Sequence, residues 1–485
     1  MGISPVAVYS DVDRCARHVR DADEAYLLGP APPRSSYLNQ EKILEIAAES
    51  GAGAVHPGYG FLSENPDFAA ACAARSVVFV GPPAAAIHVM GNKVEARRLM
   101  LEAGVSVTPG SAGEVSTVEE IRRVARQVGY PILLKAAAGG GGRGMRVVQT
   151  AAEIEAALAA VQSEAGSAFG DRSVFVERLV ERPRHIEVQI LSGPDGRTVH
   201  LGERECSIQR RHQKLVEESP SPAVDEALRN RLGSLAVRAA EAVDYRNAGT
   251  VGFIMDGGGE VYFMEMNTRL QVEHPVTEMV TGVDLVKAQI RIAAGIDPGL
   301  RQEDIQMRGA AIECRIFAED PARGFLPSPG RLKTYRPPAG PGVREDAGVH
   351  TGDAVPTEYD PMIAKLIAWG GDRHEAVERM ARALDEYRIS GVPTTLPFHQ
   401  ALMAHPAFRA GNLDTGFIQR HGLKPLSGRS GDLEKVALVA ALLAAREDRM
   451  RRAVAARPGP PSMSSWKRAA LREGQSRLPG GGGGL

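Results

Sequence analysis

An apolar strand that carries a lysine and runs straight into a cluster of glycines, PILLKAAAGGGGRGMRVV from Pro131 to Val148, limits what this chain can fold into more than any other stretch. Glycine weakens helices and strands, so five glycines between Gly139 and Gly144 need a purpose. Without Cβ atoms, backbone N–H groups reach phosphate oxygens closely, and Lys135 on the preceding strand adds a point charge. The lysine precedes the glycines and no G-K-[ST] follows, so this is not a Walker loop. The pattern predicts a glycine lid over ATP, with a mobile linker or a tight turn as the other use of such a run.

The 485 residues exceed what one core accommodates, which predicts about three domains and a tail. From PVAVYSD to SVVFVGP, short strands alternate with helices at Glu41–Ser50 and Asn65–Ala74, predicting a parallel, doubly wound, Rossmann-like unit over residues 1–85. Residues 91–295 form an α+β unit with a lid at about 107–180. It opens with a helix from Gly91 through Met100. Ser116 and Glu119 then form a capping box for a helix ending near Gly129, and another helix covers Ala151–Glu164. An amphipathic segment from Asp225 to Val243 precedes the hairpin GTVGFIMDGGGEVYFMEMN. Residues 309–418 make a strand-rich third unit with a helix at Arg373–Tyr387, and 419–485 read as a helix with disordered linker. The fold class is thus α/β and α+β, multidomain.

Lysine plus arginine (58) balance aspartate plus glutamate (59), which argues against a nucleic-acid partner. Cys15, Cys72, Cys206 and Cys314 lack zinc spacing and read as free thiols. No apolar run reaches the roughly 20 residues of a membrane span, so a cytoplasmic location is expected.

On the second hairpin strand, alternation sends Glu265, Asn267 and Arg269 to one face. A carboxylate, an amide oxygen and a guanidinium in a row suit a metal beside an anion, though a polar outer sheet face has the same spacing. Longer words follow: HPGYGFLSEN (His56–Asn65), ECSIQRRHQKLVEESP (Glu205–Pro220), RLQVEHPVTE (Arg269–Glu278) and AEDPARGFLPSPG (Ala318–Gly330).

In this order and over Val6–Phe417, these words resemble the biotin carboxylases, ATP-grasp subunits or domains of acetyl-, propionyl- and other acyl-CoA or pyruvate carboxylases. The resemblance implies a Rossmann-like N-terminal domain, an ATP-grasp domain with a lid and a C-terminal biotin carboxylase domain. ATP would be held by Lys93, Lys135, Gly141, Gly142, the segment Glu177, Arg178, Leu179 and Val180, His185, Gln209, His212 and Glu265. Magnesium, or manganese, would sit on Glu265 and Asn267. Bicarbonate would meet Lys214, Arg269, Gln271 and the backbone of Val272, with Glu273 as general base. Tyr59, Gly60 and Arg315 would face biotin, Arg315 stabilising its ureido oxygen as an anion. Biotin would arrive on a carrier protein, a carboxyltransferase would follow, and a homodimer is a family habit.

Three departures shape the expectations. Family members carry a glutamate in a word like G-T-x-E-F, whereas GTVGF places Gly252 there, so metal binding should weaken. The chain begins inside the first domain, which suggests a misassigned start or a fragment. No M-K-M word is present, so biotin must come from another polypeptide. Two rivals stand beside this reading: another ATP-grasp ligase, which would lack HPGYGFLSEN joined to RLQVEHPVTE, and a catalytically weak subunit that still binds nucleotide.

Overall fold

The apolar runs near the N-terminus pair in parallel: Val6–Ser10 (β1) with Glu24–Gly29 (β2), and Ala54–Val55 (β3) with Val78–Phe79 (β4). The computed structural model describes residues 1–137, 144–423, 438–447, 449, 464–466 and 468–469. Among them, the two parallel pairs stay separate rather than joining in one doubly wound sheet. β3 is short because Pro57 has no N–H to donate and Gly58 turns the chain at φ 66°. Helices Gln40–Glu49 and Pro66–Ala74 start at Asn39 and Asn65, whose side chains accept from the N–H groups of Lys42 and Phe68 at 3.1 and 2.8 Å. Leu44, Leu62, Phe68 and Cys72 fill the core between them.

A three-stranded antiparallel sheet follows, with Ile132–Ala136 (β5) between Met145–Val148 (β6) and Val174–Arg178 (β7). It has its own core, where Ile121, Val124, Ile132, Leu134, Ile154, Val161 and Val176 meet. The capping box lies one residue later than expected, at Thr117 and Glu120, opening Val118–Val128. That register is the one that buries Ile121, Val124 and Ala125 together. The next helix runs Ile154–Phe169, further than expected, and stops at Gly170 in the left-handed region.

Eight antiparallel strands make the main sheet: Arg184–Ser192 (β8), Thr198–Arg210 (β9), Gln213–Ser219 (β10), Asn247–Met255 (β11), Val261–Asn267 (β12) and Ala310–Phe317 (β13), then Met362–Gly370 and Val343–Ala347. Their spatial order is β12-β11-β8-β9-β10-β13, then Met362–Gly370 and Val343–Ala347. The ladder between β10 and β13, with Glu217 opposite Glu313, carries the sheet across the boundary expected near residue 300. Helix Glu226–Glu241 covers β8 and β9 through Leu232, Leu235 and Ala236. Helix His274–Thr281 lies over β13 through Val276 and Val280.

The chain divides into two units, Met1–Leu426 and Ser427–Leu485. In the second, residues 438–447 are helical, with Leu438, Val439, Leu442 and Leu443 exposed. The glycine-rich ending lies outside the described residues. No described helix is long and apolar enough to cross a membrane.

Candidate active site

The sheet order brings together residues that the sequence keeps far apart. Glu273 is the N-cap residue of helix His274–Thr281, but its carboxylate makes no hydrogen bond to that helix and turns to the sheet instead. Its Oε1 lies 2.6 Å from Lys214 Nζ on β10, and its Oε2 lies 2.8 Å from Arg315 Nη2 on β13. Full burial alone would push this carboxyl up; the Lys214 ammonium, with Arg315, more than reverses that and holds it below the usual carboxylate range. Lys214 also bonds Glu187 on β8, and although burial opposes its charge, the two carboxylates hold it protonated. Arg315 donates Nε to Glu217 Oε1 at 2.7 Å.

Glu187, Cys206 and Glu273 present ligand atoms within 4.8 Å of one another, a spacing that a metal ion could use. The Lys214 ammonium already bonds both carboxylates, so the cation there is the protein's own. Arg204, fully buried, donates to Gln189, Thr277 and Thr250 and ties β9 to the same helix.

Beyond β12, Arg269 is engaged on all three nitrogens. Nε donates to Glu64 Oε2 at 2.8 Å, Nη1 to the Leu270 carbonyl and Gln271 Oε1 at 3.2 and 3.1 Å, and Nη2 to Asn267 Oδ1 at 3.3 Å. Glu64 closes the loop by accepting from Thr268 N–H at 3.1 Å. Gln271 Nε2 is buried with no hydrogen-bond partner, an unsatisfied donor two residues before Glu273. Lys365 donates to the Val272 carbonyl at 2.9 Å and fixes the turn leading to Glu273. Tyr59 is 40 % exposed, with Lys365 Nζ 5.9 Å from its ring centre; Gly60 is exposed as well.

A second cluster gathers the residues expected around nucleotide. Lys135 Nζ lies 2.5 Å from Glu177 Oε2, and Arg97 holds the other oxygen at 2.9 Å. Burial pushes the Lys93 ammonium down, with Glu265 opposing and Lys135 adding to the fall. Gln209 Nε2 donates to His185 Nδ1 at 2.8 Å. His185 Nε2 faces Glu187 Oε1 at 3.3 Å but lacks hydrogen-bond alignment. Arg211 and His212 form the β9–β10 turn with φ of 50° and 66°, a left-handed pair that costs energy in non-glycine residues. Burial lowers the His212 imidazole, and Lys135 lowers it further. Arg178 and Leu179 donate their N–H groups to the carbonyls of Pro109 and Pro131, while Val180 stays half-buried. Gly141 and Gly142 lie outside the described residues.

Glu265 and Asn267 offer a carboxylate and an amide oxygen on one face of β12, hard donors that fit magnesium or manganese beside phosphate oxygens. Gly252 pairs directly with Glu265 in the β11–β12 ladder. A Cβ there would meet only ordinary contacts, Glu265 O at 3.4 Å, Met264 Cε at 3.5 Å and His185 Nε2 at 3.6 Å. Glu64, Glu187, Glu217 and Lys365 were not read as site residues from sequence. Glu64 lies within HPGYGFLSEN and Glu217 within ECSIQRRHQKLVEESP, so both could have been found there; Glu187 and Lys365 become visible only through strand pairing.

Family models match three stretches: "Biotin carboxylase, N-terminal domain" over residues 1–87, "Carbamoyl-phosphate synthase L chain, ATP binding domain" over 92–300 and "Biotin carboxylase C-terminal domain" over 313–420. Biotin carboxylase from Nostoc is 54% identical over 419 residues, covering 86% of this chain and 94% of that protein. Biotin carboxylase 1 of Bacillus subtilis is 52% identical over 422 residues, covering 87% and 94%. Among solved structures, the biotin carboxylase–βγ-ATP complex of Campylobacter jejuni has a TM-score of 0.85 at 46% identity, covering 87% of this chain and 94% of that one. The biotin carboxylase domain dimer of Hydrogenobacter thermophilus 2-oxoglutarate carboxylase, bound to MgADP, ADP and bicarbonate, has a TM-score of 0.84 at 48% identity, covering 87% and 93%.

Proposed function

The chain belongs to the biotin carboxylase family, and from that premise we infer that it is a ligase that uses ATP and bicarbonate to carboxylate biotin on a carrier protein. The observation that carries the inference at the residue level is the placement of Glu273. Its carboxylate, kept ionised between Lys214 and Arg315, follows Gln271, whose buried amide N–H₂ has no partner.

Bicarbonate binds through Arg269, Gln271, the backbone of Val272 and Lys214, a set matched to a planar anion. Glu273 accepts the bicarbonate proton, and the freed oxygen attacks the γ-phosphorus of ATP, displacing ADP to give carboxyphosphate. Once Glu273 is neutral it loosens its hold on Arg315 Nη2. Carboxyphosphate splits into carbon dioxide and phosphate, the phosphate takes the proton from biotin N1, Arg315 stabilises the anionic ureido oxygen beside Tyr59 and Gly60, and N1 then attacks the carbon dioxide to give carboxybiotin. The nucleotide lies along Lys93, Lys135, Glu177 to Val180, His185, Gln209 and His212, under the lid that carries Gly141 and Gly142. Magnesium, held by Glu265 and Asn267, would neutralise phosphate charge as it develops. The lid excludes water from an intermediate that water destroys.

The carboxylated carrier then serves a carboxyltransferase, and the chain acts as a homodimer in the cytoplasm. The separate carboxyltransferase is supported by relatives that are carboxylase subunits, the dimer by the Hydrogenobacter structure and the compartment by four free thiols. The test is ADP production by the full chain with Mg-ATP, with and without bicarbonate and free biotin. ADP formation that needs bicarbonate and rises with biotin is expected; formation indifferent to bicarbonate would refute the reading.

A further inference from the structure

The sheet face under helix His274–Thr281 holds one more acid than the reaction needs. Glu217 on β10 and Glu313 on β13 stand directly opposite in an antiparallel ladder, so their side chains share a face at close range. Both are fully buried. Glu217 gives Oε1 to Arg315 and leaves Oε2 without a partner, while neither oxygen of Glu313 has one. Unpartnered buried carboxylates are costly, and two carboxylates side by side resist ionising together.

The cations nearby are already committed. Arg315, two residues from Glu313 on the same strand, is shared by Glu217 and Glu273. Lys365, on strand Met362–Gly370, donates to the Val272 carbonyl and lies 3.5 Å from Asp346. On the helix above, His274 bonds the Gln271 carbonyl, Glu278 pairs with Arg344, and the residues facing the sheet are Val276 and Val280. With no new partner available, a proton between the two acids pairs Glu217 Oε2 with one Glu313 oxygen and leaves the other Glu313 oxygen as an uncharged carbonyl, which costs less buried than an ionised one.

We propose that Glu313 is a positioning residue that keeps its carboxyl proton and donates it in a hydrogen bond to Glu217 Oε2, fixing Glu217 as the carboxylate that aims Arg315 at biotin. The proposal rests on the roles given to Arg315 and Glu273 above. Burial pushes the Glu313 carboxyl well above the usual range, Lys365 opposes and Glu217 adds to the rise; burial likewise pushes Glu217 up to about 7, against the Arg315 guanidinium. When Glu273 takes the bicarbonate proton and releases its share of Arg315, Glu217 alone keeps the guanidinium oriented. Loss of the Glu313 proton at alkaline pH would turn the donor into a second anion, and Glu217 would lose its support.

The experiment compares full-length wild type, Glu313→Gln and Glu313→Met in bicarbonate-dependent ATP hydrolysis and free-biotin carboxylation across neutral and alkaline pH. Glutamine, a permanent donor of the same shape, should keep kcat/KM for biotin within about threefold, whereas methionine should lose about tenfold or more at an unchanged KM for ATP. The wild-type alkaline decline should move to higher pH, or vanish, in the glutamine variant. Infrared difference spectra should show a protonated-carboxyl C=O band in wild type that Glu313→Gln lacks. A fully active methionine variant, equal losses in both variants with an unmoved pH profile, or no such band would overturn the proposal. If wild type itself proves indifferent to bicarbonate, the functional reading fails instead, and the infrared band alone then decides whether Glu313 holds its proton.

Discussion

Glu273 shows how much of a residue's chemistry its neighbours decide. Replacing it with glutamine keeps the side chain's shape and removes the base, so bicarbonate-dependent ADP production should fall about a hundred- to ten-thousand-fold while nucleotide affinity stays near wild type. Gly252 is the opposite case, a gap where chemistry could be added. A Cβ there meets only ordinary van der Waals contacts opposite Glu265 in the ladder, so Gly252→Glu should be accommodated and lower the magnesium concentration for half-maximal activity; an unchanged magnesium titration would show that the missing carboxylate is immaterial. Two histidines set an acid limit. Burial lowers His274 to about 3 and His399 to about 4, so the folded protein keeps both neutral while the unfolded chain binds protons near pH 6.5. Stability from these sites is fully present above that value and is lost as pH falls towards 3, on the order of several kcal/mol in all. Denaturant unfolding at pH 7 and at mildly acid pH should show this slope, and His274→Asn with His399→Gln should flatten it.

At the scale of elements, sequence patterns foretold what neighbouring residues decide and missed what pairing decides. The hairpin of β11 and β12, the helix Arg373–Glu386 and the cap before Val118 follow from periodicity and short-range hydrogen bonds, so they were legible to within a residue or two. The capping register slipped by one because Ser116 and Thr117 are both good caps and only the buried face of the helix chooses between them. Thr117→Ala should therefore destabilise this helix by about 1 kcal/mol, seen as faster hydrogen exchange in Val118–Val128 with little change in β8–β10. The resemblance to a known family supplied Arg269, Glu273 and Lys214 as candidates. Glu313 and Lys365 were illegible, and Glu217 was passed over inside ECSIQRRHQKLVEESP, because their significance lies in strand neighbours about 50 to 100 residues away, which no local pattern encodes.

Across the whole first unit, the eight-stranded sheet joins β8 through β13 to the strands Val343–Ala347 and Met362–Gly370 in one hydrogen-bonded layer, whereas β5–β7 pack on a core of their own. Native-state hydrogen exchange should separate them: amides of β5–β7 should open at lower free energy than those of β8–β10, and bound nucleotide should slow the former more. Identical protection in both sheets would show a single cooperative body.

The grip of Glu64 on Arg269 has a further consequence. Every nitrogen of that guanidinium is already spoken for, so the incoming anion enters by exchange, trading places with groups the protein keeps there as understudies. Substrate affinity is then a contest between two anions for one cation, and trimming Glu64 to glutamine should tilt it towards the visitor, lowering the bicarbonate concentration at half-saturation.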